Sequence, residues 1–407
     1  MRWCIVLAII VCYLPHVLYG QFVYEDAAVL QSVAAGAPEL WHPRGLFRLL
    51  WWLQWQASPH PALFHAMSVA LHLVVVALTG ILGSRLGLTR AAVTLTLIVT
   101  AWHPLTVEAV AYAAQQGELL AAIGVLTACI FATGRWWRAP VWVGILAAVA
   151  FGLLGKESAV VAIALVPLLI VARAPRYRYV RPRWAGAWMP VVLSAALLGT
   201  GVWWYGWTVI VSIGEAPGAD VTAVDWLLVQ SYAAMRMVGL LVIPMGPFSV
   251  DYDYDAVPVM LRVVTVVGLA GLWSLVALTW RRWPHGALGL AWMLIVIAPR
   301  LIVQTPRGIF NEHQAYLMVP GFALLVGAAL DRWANVAIEL HFVRLGRLSS
   351  GRDRWAACYR RDSIARHWWI DGLGWRLCLI SASPERPNAI SHCAAPLLGP
   401  PMPESHT

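Results

Sequence analysis

Apolar runs of about 17 to 25 residues, the length that crosses roughly 30 Å of hydrocarbon at 1.5 Å per residue, recur through residues 1–333. A chain with so many cannot hide them all in a soluble core: only 12% of its side chains are charged, 60% are hydrophobic, and the mean hydropathy is +0.69. The remaining solvent is a lipid bilayer. The runs predict helices near 3–20, 62–84, 90–103, 117–134, 140–155, 157–172, 188–210, 258–280, 286–303 and 314–331. The expected fold is therefore an all-α polytopic membrane protein, a bundle of about ten or eleven transmembrane helices. The first run lacks a small-x-small motif ahead of Gln21 and is expected to remain as an uncleaved anchor.

In a soluble protein the net charge of +9 would suggest a nucleic-acid partner, but here the arginines fall between apolar runs, and no nucleic acid is expected. Arg2, Arg85 and Arg90, Arg135 and Arg138, the run from Arg173 to Arg183, Arg281 and Arg282, and Arg332 occupy alternate connections. By the positive-inside rule those connections are cytoplasmic, as is the N-terminus. The other set, 21–61, 104–116, Lys156-Glu157, 211–257 and 304–313, holds most of the carboxylates and faces the periplasm. Lys156 is the only lysine in the chain, an arginine bias that fits a high-GC bacterial genome and an inner-membrane location. The cysteines form no close CxxC pair, so neither a disulfide framework nor a zinc site is indicated.

One apolar segment, 224–243, carries Gln230 and Arg236. If it spanned, Arg281 and Arg282 would move to the outer face, so the charge rule favours a re-entrant or interfacial helix, with an eleven-span bundle as the alternative. From residue 334 the composition turns to Arg, Ser, Pro, Cys, His and Trp without periodicity. The domains expected are thus 1–333, transmembrane, and 334–407, a disordered or frameshifted tail.

Carboxylates beside a bilayer are costly to desolvate, so those at helix ends are candidates for function. Glu25-Asp26 follows the first helix, and a carboxylate pair there could include a general base; a solvated acidic cap is the bland alternative. In Trp102-His103-Pro104-Leu105-Thr106-Val107-Glu108, Pro104 disfavours helix at His103, freeing His103 and Glu108 to face a cavity. His65 and His72, seven apart, share one helix face and read as core histidines, not metal ligands. Lys156-Glu157 could be a helix-end ion pair, or Lys156 could hold a phosphate as a point charge. Asp251, Asp253 and Asp255 alternate with tyrosines, which suits an interfacial loop better than a divalent-ion site, so no metal or other cofactor is assigned. Arg300, Arg307, Glu312 and His313 lie on a later outer loop, where guanidinium groups match a lipid phosphate.

The segments FVYEDAAVL, PALFHAMSVALHLVVVAL, AWHPLTVEAVAYAAQQGELLAA, LLGKESAVVAIALVPLL, PFSVDYDYDAVP and FNEHQAYLMVPGFALLVG, in that order, resemble the multispanning half of the transmembrane and tetratricopeptide-repeat O-mannosyltransferase family, including its bacterial relatives. The resemblance covers most of residues 15–330 and lacks the repeat region. It implies a GT-C type membrane glycosyltransferase that takes a sugar, mannose by analogy, from a polyprenyl-phosphate donor to a protein or peptide hydroxyl on the non-cytoplasmic face. It also implies that an acidic residue of the first outer loop activates the acceptor. That role falls on Asp26 with Glu25 as partner, although the family more often has two aspartates there. Arg300, Arg307 or Lys156 would hold the departing phosphate, His103 and Glu108 would shape the sugar pocket, and Glu312 and His313 would close it. The rival class is a transporter or flippase of a polar or lipid-linked solute, against which stand the absence of an inverted repeat and the few polar residues deep in the runs.

Overall fold

The computed structural model describes residues 2–23, 26–40, 44–134, 138–173, 223–245, 258–302, 312–348, 364–371 and 374–381. It divides into two units, Met1–Glu339 and Leu340–Thr407. Among its described residues the first unit is built from helices alone, up to α13, which runs across the boundary between the units: α1 (Arg2–Tyr19), α2 (Asp26–Ala34), α3 (Gly45–Ala57), α4 (Pro61–Leu86), α5 (Arg90–Trp102), α6 (Val107–Ala111), α7 (Gln116–Ala132), α8 (Ala139–Gly155), α9 (Ala162–Arg173), α10 (Ala223–Val242), α11 (Val259–Thr279), α12 (Pro284–Ile302) and α13 (Met318–Leu348). The expected run 188–210 lies outside the described residues.

Among the described residues, four helices are long and apolar enough to cross a membrane: Pro61–Leu86, Ala113–Ala132, Val259–Thr279 and Pro284–Leu301. Arg90–Trp102 and Pro104–Ala111, bent by 52°, make a fifth if they form one span. Cys4–Tyr19, Ala139–Gly155 and Glu157–Ala172 are apolar but shorter.

Local chemistry sets the breaks. α4 starts on Pro61 with His60 accepting the Ala62 N–H at 3.2 Å, and it stops at Gly87, whose φ of 86° only glycine adopts cheaply. Thr89 caps α5 by accepting from Ala92 N–H, and Pro104 ends that helix at His103. Small residues let α7 and α8 approach closely. A Cβ added at Gly124 would stand 2.5 Å from Gly152 Cα and 2.6 Å from Ala148 O, and one at Gly155 would stand 2.6 Å from Leu120 Cβ.

Cross-links fix which helix ends lie together. Gln116 Nε2 donates to Phe64 O at 2.9 Å, placing the starts of α4 and α7 side by side. His72 Nδ1 accepts from Tyr316 Oη at 2.7 Å, and its Nε2 donates to Ala101 O at 3.2 Å, tying α4 to the approach to α13 and the end of α5. At the opposite end Asp331 accepts from Thr89, and Arg332 Nη1 donates to Arg282 O at 3.3 Å. Arg85, Arg90, Arg281, Arg282 and Arg332 are thus gathered at one end, away from the carboxylates described below.

The segment 224–243 is a continuous helix, α10. Trp226 Nε1 near its start donates to Arg300 O at the end of α12, and Leu241 O near its finish accepts from His103 Nε2 at 3.0 Å. Both contacts are made to the ends of α12 and α5 nearest the carboxylates described below.

Two features depart from the expected tail. α13 continues past residue 333 to Leu348, and Ile364–Asp371 pairs antiparallel with Gly374–Ser381. Those two stretches, IARHWWID and GWRLCLIS, carry enough aromatic and branched residues to favour strands, so the chain is not helical throughout.

Candidate functional site

Sequence positions far apart converge at the carboxylate end. Lys156, between α8 and α9, is 8% exposed, and its Nζ lies 3.0 Å from Glu118 Oε1 and donates to Gln115 Oε1 at 2.9 Å. Ser158 Oγ donates to Glu118 Oε2 at 2.7 Å, so both carboxylate oxygens of Glu118 are satisfied. Glu118 sits in the first turn of α7, where the helix dipole also favours an anion. Two buried opposite charges with three hydrogen bonds form a stable unit, but each depends on the other.

Glu157 turns to the first outer loop. Arg44 Nε donates to Glu157 Oε2 at 2.9 Å and Arg44 Nη2 to Oε1, a bidentate fork. Partial burial works to raise the Glu157 carboxyl, but the charge and hydrogen bonds of Arg44, aided by Lys156, outweigh it and hold the group down to about 2. Both side chains are open to solvent, 43% and 40%, so the pair stabilises little by itself. Arg44 has φ 60° and ψ 30°, and among the described residues it is the one non-glycine with positive φ. That left-handed backbone is costly for a residue with a Cβ, and it aims the guanidinium at Glu157. Arg300, at the end of α12, lies in the field of Glu118 and Glu157 and, in opposition, of Arg44.

The third element is a pair. His313, in the 3₁₀ turn Glu312–Ala315, places Nδ1 at 2.9 Å from Glu108 Oε1 on α6, and Glu118 acts on the same group electrostatically. Glu312 and His313 are buried, 6% and 7% exposed. Glu108 Oε2 is buried and meets no hydrogen-bond donor among the described residues.

Asp26 is held by backbone amides. It is fully buried, its Oδ2 accepts from Val23 N–H at 2.9 Å and its Oδ1 from Ala114 N–H at 2.8 Å. The carboxylate fastens the first outer loop to the turn before α7, and in this conformation no face of it is open to a substrate. His103 is likewise engaged at both nitrogens, with Nδ1 accepting from Leu105 N–H at 3.3 Å and Nε2 donating to Leu241 O. It caps a 3₁₀ turn and anchors α10, and it does not line the cluster. Glu25, Arg307 and the Asp251–Asp255 stretch lie outside the described residues.

Of the residues singled out in the sequence, Glu108, Lys156, Glu157, Arg300, Glu312 and His313 come together. Reasoning from sequence missed Glu118 and Gln115, and gave Arg44 and Ser158, which lie within its clusters, no role of their own. Glu118 had a signal, since a carboxylate inside an apolar run is functional by default. Among the described residues no group of three or more His, Cys, Asp or Glu is placed to hold a metal ion. A recess lined by Ser32, Val33, Gly36 and Arg48 lies beside α2. Comparison with known proteins leaves the geometry to speak for itself: no family model, no curated protein and no solved structure matches the chain.

Proposed function

We propose that the chain is a membrane-embedded glycosyltransferase of about ten spans. It sits in a bacterial inner membrane with its N-terminus in the cytoplasm, and it moves a sugar from a polyprenyl phosphate to a protein hydroxyl at the periplasmic face. The sugar is mannose on the strength of the family resemblance. α10 does not add a span, which keeps Arg281 and Arg282 with the other arginines on the cytoplasmic side.

The observation that carries this reading is the convergence of Arg44, Glu108, Glu118, Lys156, Glu157, Arg300 and His313, from separate elements, at one end of an apolar bundle. Cations held in a poorly hydrated setting suit a leaving phosphate, because their charge is aimed before the reaction begins. Arg300 holds that phosphate, with Lys156 exchanging one of its present partners for it. A transporter would need a polar route to the opposite end, whereas Thr79, Thr96 and Thr100, buried along the helices between the two ends, each spend their hydroxyl on a carbonyl of their own helix.

The test is transfer of labelled mannose from polyprenyl-phosphate mannose to protein, in membranes carrying the full chain or its Arg300→Met variant. The reading expects labelled protein from wild type and a loss on the order of 10²-fold in the variant. Label that crosses the bilayer but stays on lipid would replace the transferase with a flippase.

A further inference from the structure

We infer that Gln230 on α10 hydrogen-bonds a hydroxyl of the sugar that the lipid phosphate carries; this rests on the glycosyl-transfer reading above. Gln230 is 1% exposed, and neither its Oε1 nor its Nε2 has a hydrogen-bond partner among the described residues. A buried carboxamide that has given up water and gained nothing in exchange is destabilising until something completes it. It offers N–H donors and an acceptor oxygen, and a sugar hydroxyl both donates and accepts. Leucine or methionine, which α10 uses freely elsewhere, would fill the same space without that cost.

The helix aims this group. Trp226, Gln230, Met237 and Leu241 follow one another at helical spacing, so they form one stripe of α10, and all four are buried. Met235 lies on the opposite side, where a Cβ added at Gly268 of α11 would stand 3.2 Å from its Cε. The stripe meets the site instead: Trp226 Nε1 donates to Arg300 O, and Leu241 O accepts from His103 Nε2. Gln230 comes four residues after Trp226, which puts it on the same face one helical turn along from the end of α12.

The chemistry of the donor brings the sugar to this place. Its anomeric carbon is bonded to the phosphate oxygen, so a phosphate on Arg300 carries the ring hydroxyls to the end of α12, beside Gln230. Glu108 Oε2 is a second buried atom short of a partner, joined to the cluster through His313. As a carboxylate oxygen it only accepts, whereas the carboxamide does both. A ring bearing several hydroxyl groups suits the two together, while a bare phosphate could take the Gln230 N–H groups but would be repelled by Glu108. The sugar reaches Gln230 as the Trp226–Arg300 hydrogen bond opens, a bond whose 3.2 Å is at the long end of the N–H···O range.

The experiment compares full-length wild type with Gln230→Leu. The probes are polyprenyl-phosphate mannose, its monodeoxy forms and bare polyprenyl phosphate, and the readouts are binding, mannose transfer and thermal unfolding. Without a lipid probe the variant is expected to unfold at or above the wild-type temperature, because an unpaired buried amide has been removed. It is expected to bind bare polyprenyl phosphate within about twofold of wild type and the mannosyl donor about tenfold more weakly. One monodeoxy donor is expected to bind wild type about tenfold more weakly than the full sugar and to lose that penalty in the variant. If Gln230→Leu does not fold, Gln230→Asn, which draws the amide back by one carbon, is put through the same donor series with the same loss of discrimination expected. A variant that keeps the wild-type discrimination among the donors, or that weakens bare polyprenyl phosphate as much as the mannosyl donor, overturns the assignment and leaves the enzyme class standing. A wild type that binds neither lipid and transfers nothing overturns the class itself, and the role of Gln230 with it.

Discussion

Single residues at this site carry unequal risks. Lys156 and Glu118 are 10% and 2% accessible at their side chains, so removing one partner strands a buried charge. Lys156→Met is expected to lower stability by about 3–5 kcal/mol. The double change Lys156→Met with Glu118→Leu is expected to recover much of that loss, as read by unfolding in detergent. The Arg44–Glu157 fork is a different case, because both partners are well solvated and the pair is worth under about 1 kcal/mol. Its effect is legible in pH: the folded carboxyl titrates at about 2 against an ordinary value of 4.5. The stabilisation is therefore complete above about 4.5 and drains away as pH falls toward 2. Glu157→Gln is expected to be less stable than wild type at neutral pH and to match it near the acid limit. A gap that held constant down to the acid limit would mean that the fork is not what stabilises the loop.

At the scale of elements, the seam between α7 and α8 makes a sharp pair of predictions. Gly124→Ala sets a methyl group 2.5 Å from the Gly152 backbone and should cost about 1–3 kcal/mol as the helices part. Gly271→Ala, on α11 with nothing within 4 Å, should be neutral or gain up to about 1 kcal/mol from helix propensity. Equal melting temperatures for the two variants would refute the close packing. Sequence alone located ten of the described helices, because a long apolar run has few other options. α2 and α3 were hidden in the first outer loop, being 9 and 13 residues long and too short to register as spans. Lys156 stood out as the sole lysine, yet its partners Glu118 and Gln115 lie some forty positions away, and only packing makes them neighbours. Asp26 was visible as a carboxylate but not as a clamp, since that role depends on the Ala114 amide, 88 positions on.

For the whole molecule, the decisive expectation is an electrical asymmetry, with arginines at one end of the bundle and the mixed charges of the site at the other. Reporter fusions after Leu40 and after Arg282 are expected to report opposite sides, periplasmic for the first and cytoplasmic for the second. The same side for both would break the proposed orientation and, with it, the periplasmic placement of the proposed site. The glycine seam also has a mechanical consequence. With Glu118 on α7 and Lys156 at the end of α8, this hairpin behaves as a fixed jaw, since helices in backbone contact have no room to slide. On the proposed glycosyl-transfer reading, admission of a lipid-linked sugar then falls to the rim that carries Arg300 and His313. There the apolar core of α12 and α13 stays packed, while the hydrogen bonds at its rim, Trp226 to Arg300 and His313 to Glu108 among them, are each weak enough to open and reclose.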